Sequence, residues 1–423
     1  MSKIMSEKLS KEYPHLQFRR QWELGREDYF IFGQCDVLVK ALNNASIKPE
    51  NYSELMAVTL RKGAQATTAI EGNTLTEEEI IKIEKGERLP PSKGYQETEV
   101  KNILDAFNHL IEDIAIDPKG QLVSPALLKR FHKMVGKNLG DHFAAQPGQF
   151  RSGSNNVTVG KYRAAEGVDV ELLVSKFCTF LKEEFRYERG AHTYMDIIIE
   201  AIVAHVYLEW IHPFGDGNGR TGRLVEFYIL LRGGLPEITL HILSNHYNMT
   251  RPEYYRQLQL SSEKRDLTEF IRYAITGLRD GLEQTFETVQ KRQFELSWRE
   301  YIYSQFSNAD YSHKDILNRR RTLALEIPIN KEITPKGIPE LSIPLARIYS
   351  GVSEKTLLRD VEELEQLQII KQHGNSYLAD IERLNPMVLK NEQSKLFYNL
   401  HYVKYMEELK RKQEKRGNRK SAS

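Results

Sequence analysis

The sequence predicts a mainly α-helical chain: a helical bundle bearing one small β-hairpin, then a smaller α+β module. Three observations predict it. Apolar residues recur at three- and four-residue spacing through most of the first 290 positions, the pattern of amphipathic and buried helices. A short β-branched alternation, Asn156-Val157-Thr158-Val159-Gly160, follows the Gly-Pro punctuation of Gln146-Pro147-Gly148 and suits a hairpin. Past residue 290, a helix–glycine–helix pattern precedes two β-rich runs split by Gly374-Asn375, a strong hairpin turn.

In chain order, Leu16-Gln17-Phe18 reads as a short strand, followed by helices around 29–43, 51–68 and 77–84. The stretch from Gly86 to Gly94, with Pro90 and Pro91, reads as a loop, and Glu97–Ile114 as a helix leading into the central core. Asp196–Trp210 reads as a buried helix. After it, Leu224, Phe227, Tyr228 and Leu231 mark another, closed by Gly233-Gly234 and Pro236. A closing helix is expected over Leu267–Leu282. Beyond it, Ser353 caps a helix whose buried stripe is Leu357, Val361 and Leu364. The organisation expected is an N-terminal helical region (1–110), a core (111–287), a winged-helix-like module (288–385) and a C-terminal helix with a basic tail (386–423).

The 423 residues carry 60 Lys and Arg against 58 Asp and Glu, so net charge gives no global bias toward nucleic acid or membrane. Cys35 and Cys178 have neither metal spacing nor a disulfide framework. With no long apolar run and a polar amino terminus, a soluble, cytoplasmic protein is expected.

The most informative segment runs from His212 to Arg223 and lies between two of these helices. Gly217 and Gly219 let the backbone approach a ligand closely, and Asn218-Gly219 opens the second helix. Unpaired N–H groups and the positive dipole end at a helix N-terminus favour an anion. Asp216 can hold Mg²⁺, which completes its shell with substrate phosphates and water. Arg220 and Arg223 share a helix face and can fork onto phosphate oxygens, while His212 can take a proton at neutral pH. A polyphosphate site follows.

This segment resembles the Fic-domain signature, His-x-Phe-x-(Asp/Glu)-Gly-Asn-Gly-Arg-x-x-Arg, at every specified position. The resemblance implies a Fic-type helical bundle and transfer of AMP from ATP to a hydroxyl of a target protein, and to the enzyme itself. It makes His212 the base and Asp216 the Mg²⁺ ligand. Gly215, Gly217, Asn218, Gly219, Arg220 and Arg223 would bind the phosphates. A second segment, from Thr67 to Gly72, resembles the family's inhibitory motif (Ser/Thr)-x-x-x-Glu-(Gly/Asn). Glu71 would then pair with Arg223 and keep the γ-phosphate out. Phe150, Val157 and Val159 resemble the hairpin flap that docks a target by strand addition. Tyr254 or Tyr255 would stack on the base, although tyrosine at helical spacing also reads as core. The partners implied are ATP and an unidentified protein target. A homodimer is open, as are another nucleotide donor, a phosphocholine donor and removal of AMP.

The module after residue 290 resembles a winged helix. Its DNA-binding reading would set Lys355, Thr356 and Arg359 at the groove, yet Glu362, Glu363 and Glu365 oppose a phosphate backbone, and such modules also dock proteins. A regulator acting on DNA through this module is therefore the competing function. The tail from Lys404 to Lys420, with eight Lys or Arg against three Glu, reads as solvated or weakly nucleic-acid-binding.

Overall fold

The computed structural model describes residues 11–153, 157–159, 162–185, 193–307, 313–329 and 331–384. The chain divides into two compact units, Met1–Gln290 and Lys291–Ser423.

The first unit is helical: α1 (Arg26–Asn43), α2 (Pro49–Ile70), α3 (Glu77–Glu84), α4 (Gly94–Ile116), α5 (Pro125–Val135), α6 (Val170–Glu184), α7 (Tyr194–Ile211), α8 (Asn218–Arg232), α9 (Ile242–Met249) and α10 (Arg251–Lys264). β1 (Thr158–Val159) and β2 (Tyr162–Arg163) make a two-stranded antiparallel hairpin between α5 and α6. The centre is the pair α7 and α8: α7 is apolar almost all round, and α8 is buried along nearly its whole length although its first two turns carry Arg220 and Arg223. One buried charge is matched across the pair, where Glu200 on α7 accepts from Arg232 on α8 at 2.8 and 2.9 Å. The stacked pair Phe107 and Phe227, 4.2 Å between ring centres, joins α4 to α8. α3 starts at a reciprocal cap between Thr76 and Glu79.

The structure corrects three expectations. Leu16-Gln17-Phe18 is not a strand: Phe18 takes a φ of 50° and its N–H donates to the Tyr207 hydroxyl at 3.1 Å. Gln146–Arg151 is a turn, closed by Gln149 N–H on the Gln146 carbonyl at 3.1 Å, so Phe150 lies off the hairpin. The helix expected over 267–282 is α11 (Thr268–Ser307), since nothing between Leu282 and Ser307 stops it.

In the second unit, α12 (Lys314–Glu326), α13 (Ile343–Tyr349) and α14 (Glu354–Gln366) precede a hairpin of β3 (Ile370–His373) and β4 (Ser376–Ala379). Ser353 caps α14 through Thr356 N–H, and Ile333 bridges Tyr377 as an antiparallel addition to the hairpin. Fully buried Asp360 binds Arg319 and Arg320 of α12 and the Tyr349 hydroxyl of α13, locking the three helices together. The C-terminal helix and tail expected over 386–423, like Asn156 and Gly160 of the flap, lie outside the described residues.

Candidate active site

The site forms where α7 stops and α8 starts. His212 ends α7 with a left-handed φ of 52°, rare for a residue with a Cβ. The last carbonyls of a helix have no donors within it, and here neighbouring side chains supply them. Arg151 donates from Nε to the His212 carbonyl at 2.6 Å and from Nη2 to the Ile211 carbonyl at 3.1 Å. The Tyr162 hydroxyl, from the hairpin, donates to the Trp210 carbonyl at 2.7 Å. The Arg151 side chain thus holds the end of α7.

α8 opens at Gly217, whose φ of 72° and contact with the Phe143 ring leave no room for a Cβ. The Asn218 side chain closes the loop upon itself, accepting from Phe214 N–H and donating to the Phe214 carbonyl, each at 2.8 Å. With both ends of its amide occupied, Asn218 offers a ligand its backbone N–H. Gly215 lies against the Ala144 carbonyl.

Phe214 is fully buried and stacks on His132 of α5, 3.7 Å between ring centres. Gly148 N–H donates to His132 Nδ1 at 2.9 Å, so the ring proton is on Nε2, which donates to the Asp216 carbonyl at 2.9 Å. Burial pushes His132 down to about 4, keeping this neutral brace intact. Sequence reasoning missed it, because a lone histidine on an apolar helix carries no signal.

His212 has the chemistry of a base. Burial lowers its pKa to about 4 and the Arg151 charge acts in the same direction, against the pull of Glu71 and Asp216. The imidazole is therefore neutral at physiological pH and able to accept a proton.

The Asp216 carboxylate accepts from Ala144 N–H at 3.1 Å, Gly217 N–H at 2.5 Å and Arg220 at 3.2 Å, with its side chain 30% exposed. Among the described residues no group of three or more His, Cys, Asp or Glu could hold a metal ion. One partly exposed carboxylate fits a Mg²⁺ that arrives with phosphate ligands, rather than an all-protein cage.

The two arginines face different carboxylates. Arg220 pairs with Glu99 of α4, and both are buried. Arg223 donates from Nε to Thr67 Oγ1 at 2.6 Å, and from Nη2 to the Thr67 carbonyl at 2.9 Å and Glu71 Oε1 at 2.6 Å. Burial pushes the Glu71 carboxyl up, but the Arg223 charge and hydrogen bond outweigh it and hold the group below its ordinary value. A Cβ at Gly219 would collide with the Glu71 carboxylate, which thus lies on the first turn of α8, where backbone N–H groups favour an anion.

Tyr254 is buried and its hydroxyl bonds His205 at 2.9 Å, making it a core residue. Tyr255 is 41% exposed, with its hydroxyl 3.4 Å from the Ile70 carbonyl at the end of α2. Phe150 packs on Phe214, 5.2 Å between ring centres, under the Lys129 ammonium. On the hairpin, Val157 accepts through its carbonyl from Ala164 N–H at 3.0 Å, and Val159 pairs with Tyr162.

Fold and site together define a helical protein with a glycine-rich loop at a helix N-terminus, a buried neutral imidazole and a carboxylate lodged against one arginine of that helix. Residues 122–230 match the Fic/DOC family. It is 30% identical over 207 residues to protein adenylyltransferase fic-1 of Caenorhabditis briggsae, covering 49% of this chain and 37% of that protein. With protein adenylyltransferase Fic of Culex quinquefasciatus it shares 29% identity over 231 residues, covering 55% and 42%. The chain thus spans less than half the length of these relatives. A Fic family protein from Desulfovibrio desulfuricans G20 shares the fold, with a TM-score of 0.52 at 18% identity over 85% of this chain and 98% of that one. Fic-1 of C. elegans superposes with a TM-score of 0.50 at 24% identity, over 63% and 73%. Among the described residues no helix is long and apolar enough to cross a membrane.

Proposed function

We propose that the chain is an autoinhibited protein adenylyltransferase, moving AMP from ATP to a hydroxyl of a target protein and of itself. The observation that carries this reading is Glu71, bonded to Arg223 and seated on the first turn of α8. A carboxylate there takes both the guanidinium and the N–H cradle that a phosphate would use. In the reaction, the target oxygen attacks the α-phosphorus, the bond to the bridging oxygen of the β-phosphate breaks, and pyrophosphate leaves. Neutral His212 accepts the hydroxyl proton. Backbone N–H groups of residues 217–219 and Arg223 would hold the phosphates, and Tyr255 would face the base. Asp216 would hold Mg²⁺, which neutralises phosphate charge when bound. The hairpin at 157–163 would receive an extended target segment.

The test is intact mass after incubation with Mg²⁺ and ATP for wild type, Glu71→Gly and Glu71→Gly/His212→Ala. AMP added to the Glu71→Gly chain, and absent from the double variant, is the expected result. AMP on the double variant would remove His212 from its role. No addition to any of them, with other donors also silent, would sink the transferase reading.

For the second unit we propose a winged-helix-like module, supported by α13, the turn, capped α14 and the β3–β4 hairpin with its Ile333 bridge.

A further inference from the structure

Arg220 and Arg223 sit one turn apart on α8 but are held in unlike ways. Glu71, the partner of Arg223, stands at the end of α2 with its side chain 31% exposed. Glu99, the partner of Arg220, projects from α4 with its side chain 4% exposed, as is that of Arg220. Both oxygens of Glu99 are engaged. Oε1 accepts from Arg220 Nη1 and from the Tyr95 hydroxyl at 2.9 Å, and Oε2 accepts from Asn73 Nδ2 at 3.0 Å. On its other arm, Arg220 Nη2 donates to Asp216 Oδ1 at 3.2 Å, and the guanidinium lies 5.6 Å from the Phe143 ring centre. A continuous chain of bonds thus runs from α4 through Glu99 and Arg220 to the carboxylate that faces the phosphate site.

We infer that Glu99 is a positioning residue for the transfer reaction: it neutralises Arg220 and fixes it as a strut that aims Asp216. The inference rests on the adenylyltransferase reading. Its consequence is a division of labour between the arginines. Arg223 exchanges one anion for another, because its partner stands at a half-open edge. Arg220 exchanges nothing, because removing Glu99 would strand a buried guanidinium.

Glu99→Gln separates this role from a scaffold role. Turned one way, the new amide sets its NH₂ against the Arg220 guanidinium; turned the other, it keeps a neutral acceptor on Arg220 but sets its NH₂ against the Asn73 amide, so either way the strut loses a charged anchor. The substitution also leaves one more positive charge beside the phosphates. Nucleotide should therefore bind more tightly while transfer slows, a split that a general loss of packing cannot produce.

The experiment uses the full chain with Glu71→Gly as parent, adding Glu99→Gln or Tyr95→Phe. It measures binding of metal-free ATP by calorimetry, AMP transfer against ATP at several Mg²⁺ concentrations, and melting temperature. For Glu99→Gln the expected result is a fall in kcat of about tenfold or more, the range found when the partner that orients a ligand carboxylate is lost. ATP affinity should rise, and half-maximal transfer should need more Mg²⁺. Tyr95→Phe, which removes one bond from the same oxygen, should shift kcat in the same direction by less. Unchanged kcat, or weaker ATP binding in step with a lower melting temperature, would overturn the inference. If the parent binds ATP but transfers nothing, the transferase reading falls. The inference then falls with it, whereas a parent that transfers AMP while Glu99→Gln leaves kcat unchanged overturns the inference alone.

Discussion

Arg223 Nη2 and Glu71 Oε1 lie 2.6 Å apart, although one residue belongs to the α8 motif and the other to the end of α2. The arginine is buried while the glutamate is partly open, so the glutamate is the member that can leave. Glu71→Gly removes the competing anion and leaves the arginine in place. Self-modification with AMP should rise by about tenfold or more, the worth of one hydrogen bond between charged groups given up by Arg223. Unchanged transfer in a variant that binds ATP would show that this contact does not restrain the enzyme.

Thr67 tests the same clamp from the other side. Its hydroxyl and carbonyl both accept from Arg223, at 2.6 and 2.9 Å. Thr67→Val keeps the shape and the carbonyl but removes one hydrogen-bond acceptor. The guanidinium is then less well held for Glu71, and basal transfer should rise by up to about tenfold, the low end of what one hydrogen bond to a charged group is worth. Basal transfer at or below the wild-type level would mean that Thr67 supports α2 without setting the Glu71 contact.

His212→Ala, made in the Glu71→Gly chain, should cut transfer by about 10²-fold or more while ATP still binds, because it removes a proton acceptor and no phosphate contact. The pH profile gives the complementary test. The active form is the neutral imidazole, whose pKa burial has lowered from 6.5 to about 4. Transfer by Glu71→Gly should therefore persist as pH falls through 6.5 and fail only near 4. Loss of the Glu71 charge, which pulls His212 upward, moves this acid limb lower still. An acid limb of kcat/KM at 6.5 would contradict the buried position of the base.

Local signals carried the part of the site that could be read in sequence. The run from His212 to Arg223 is contiguous, and its glycines, arginines and flanking apolar stripes all point to one loop between two helices. The Glu71–Arg223 pair came from resemblance alone, since nothing near Glu71 marks its partner 152 positions away. Glu99 and Arg220, 121 apart, and His132 and the Asp216 carbonyl, 84 apart, had no such guide and were missed. Adjacent Tyr254 and Tyr255 looked equivalent, because a helical stripe about two residues wide cannot say which one faces the core. Phe150 was drawn into a strand because glycine and proline mark a turn without saying on which side the strand begins. The length of α11 escaped notice for the opposite reason: it lacks an early stop.

The fold should also lose stability steadily as pH falls below 6.5. Burial lowers His15, His132 and His212 to about 4, and His205 and His241 to about 3. Each is neutral in the folded chain and protonated in the unfolded chain between its folded value and 6.5, so unfolding takes up protons there. Buried Glu209 and Glu226 act with the opposite sign. Burial raises them to about 7 and about 8, so they release protons on unfolding above their ordinary 4.5. Between 4.5 and 6.5 these five histidines, joined by His246, which burial also lowers, oppose two glutamates, and net uptake wins. Each net proton removes about 1.4 kcal/mol of stability per pH unit of acidification. Below 4.5 the glutamates stop opposing, and Asp28 and Glu71, lowered in the fold, add to the loss. Urea unfolding of the full chain from pH 8 to 5 should show a midpoint that drops progressively below about pH 6.5. A midpoint that stays level to pH 5 would mean that the net proton uptake expected from these buried histidines is absent.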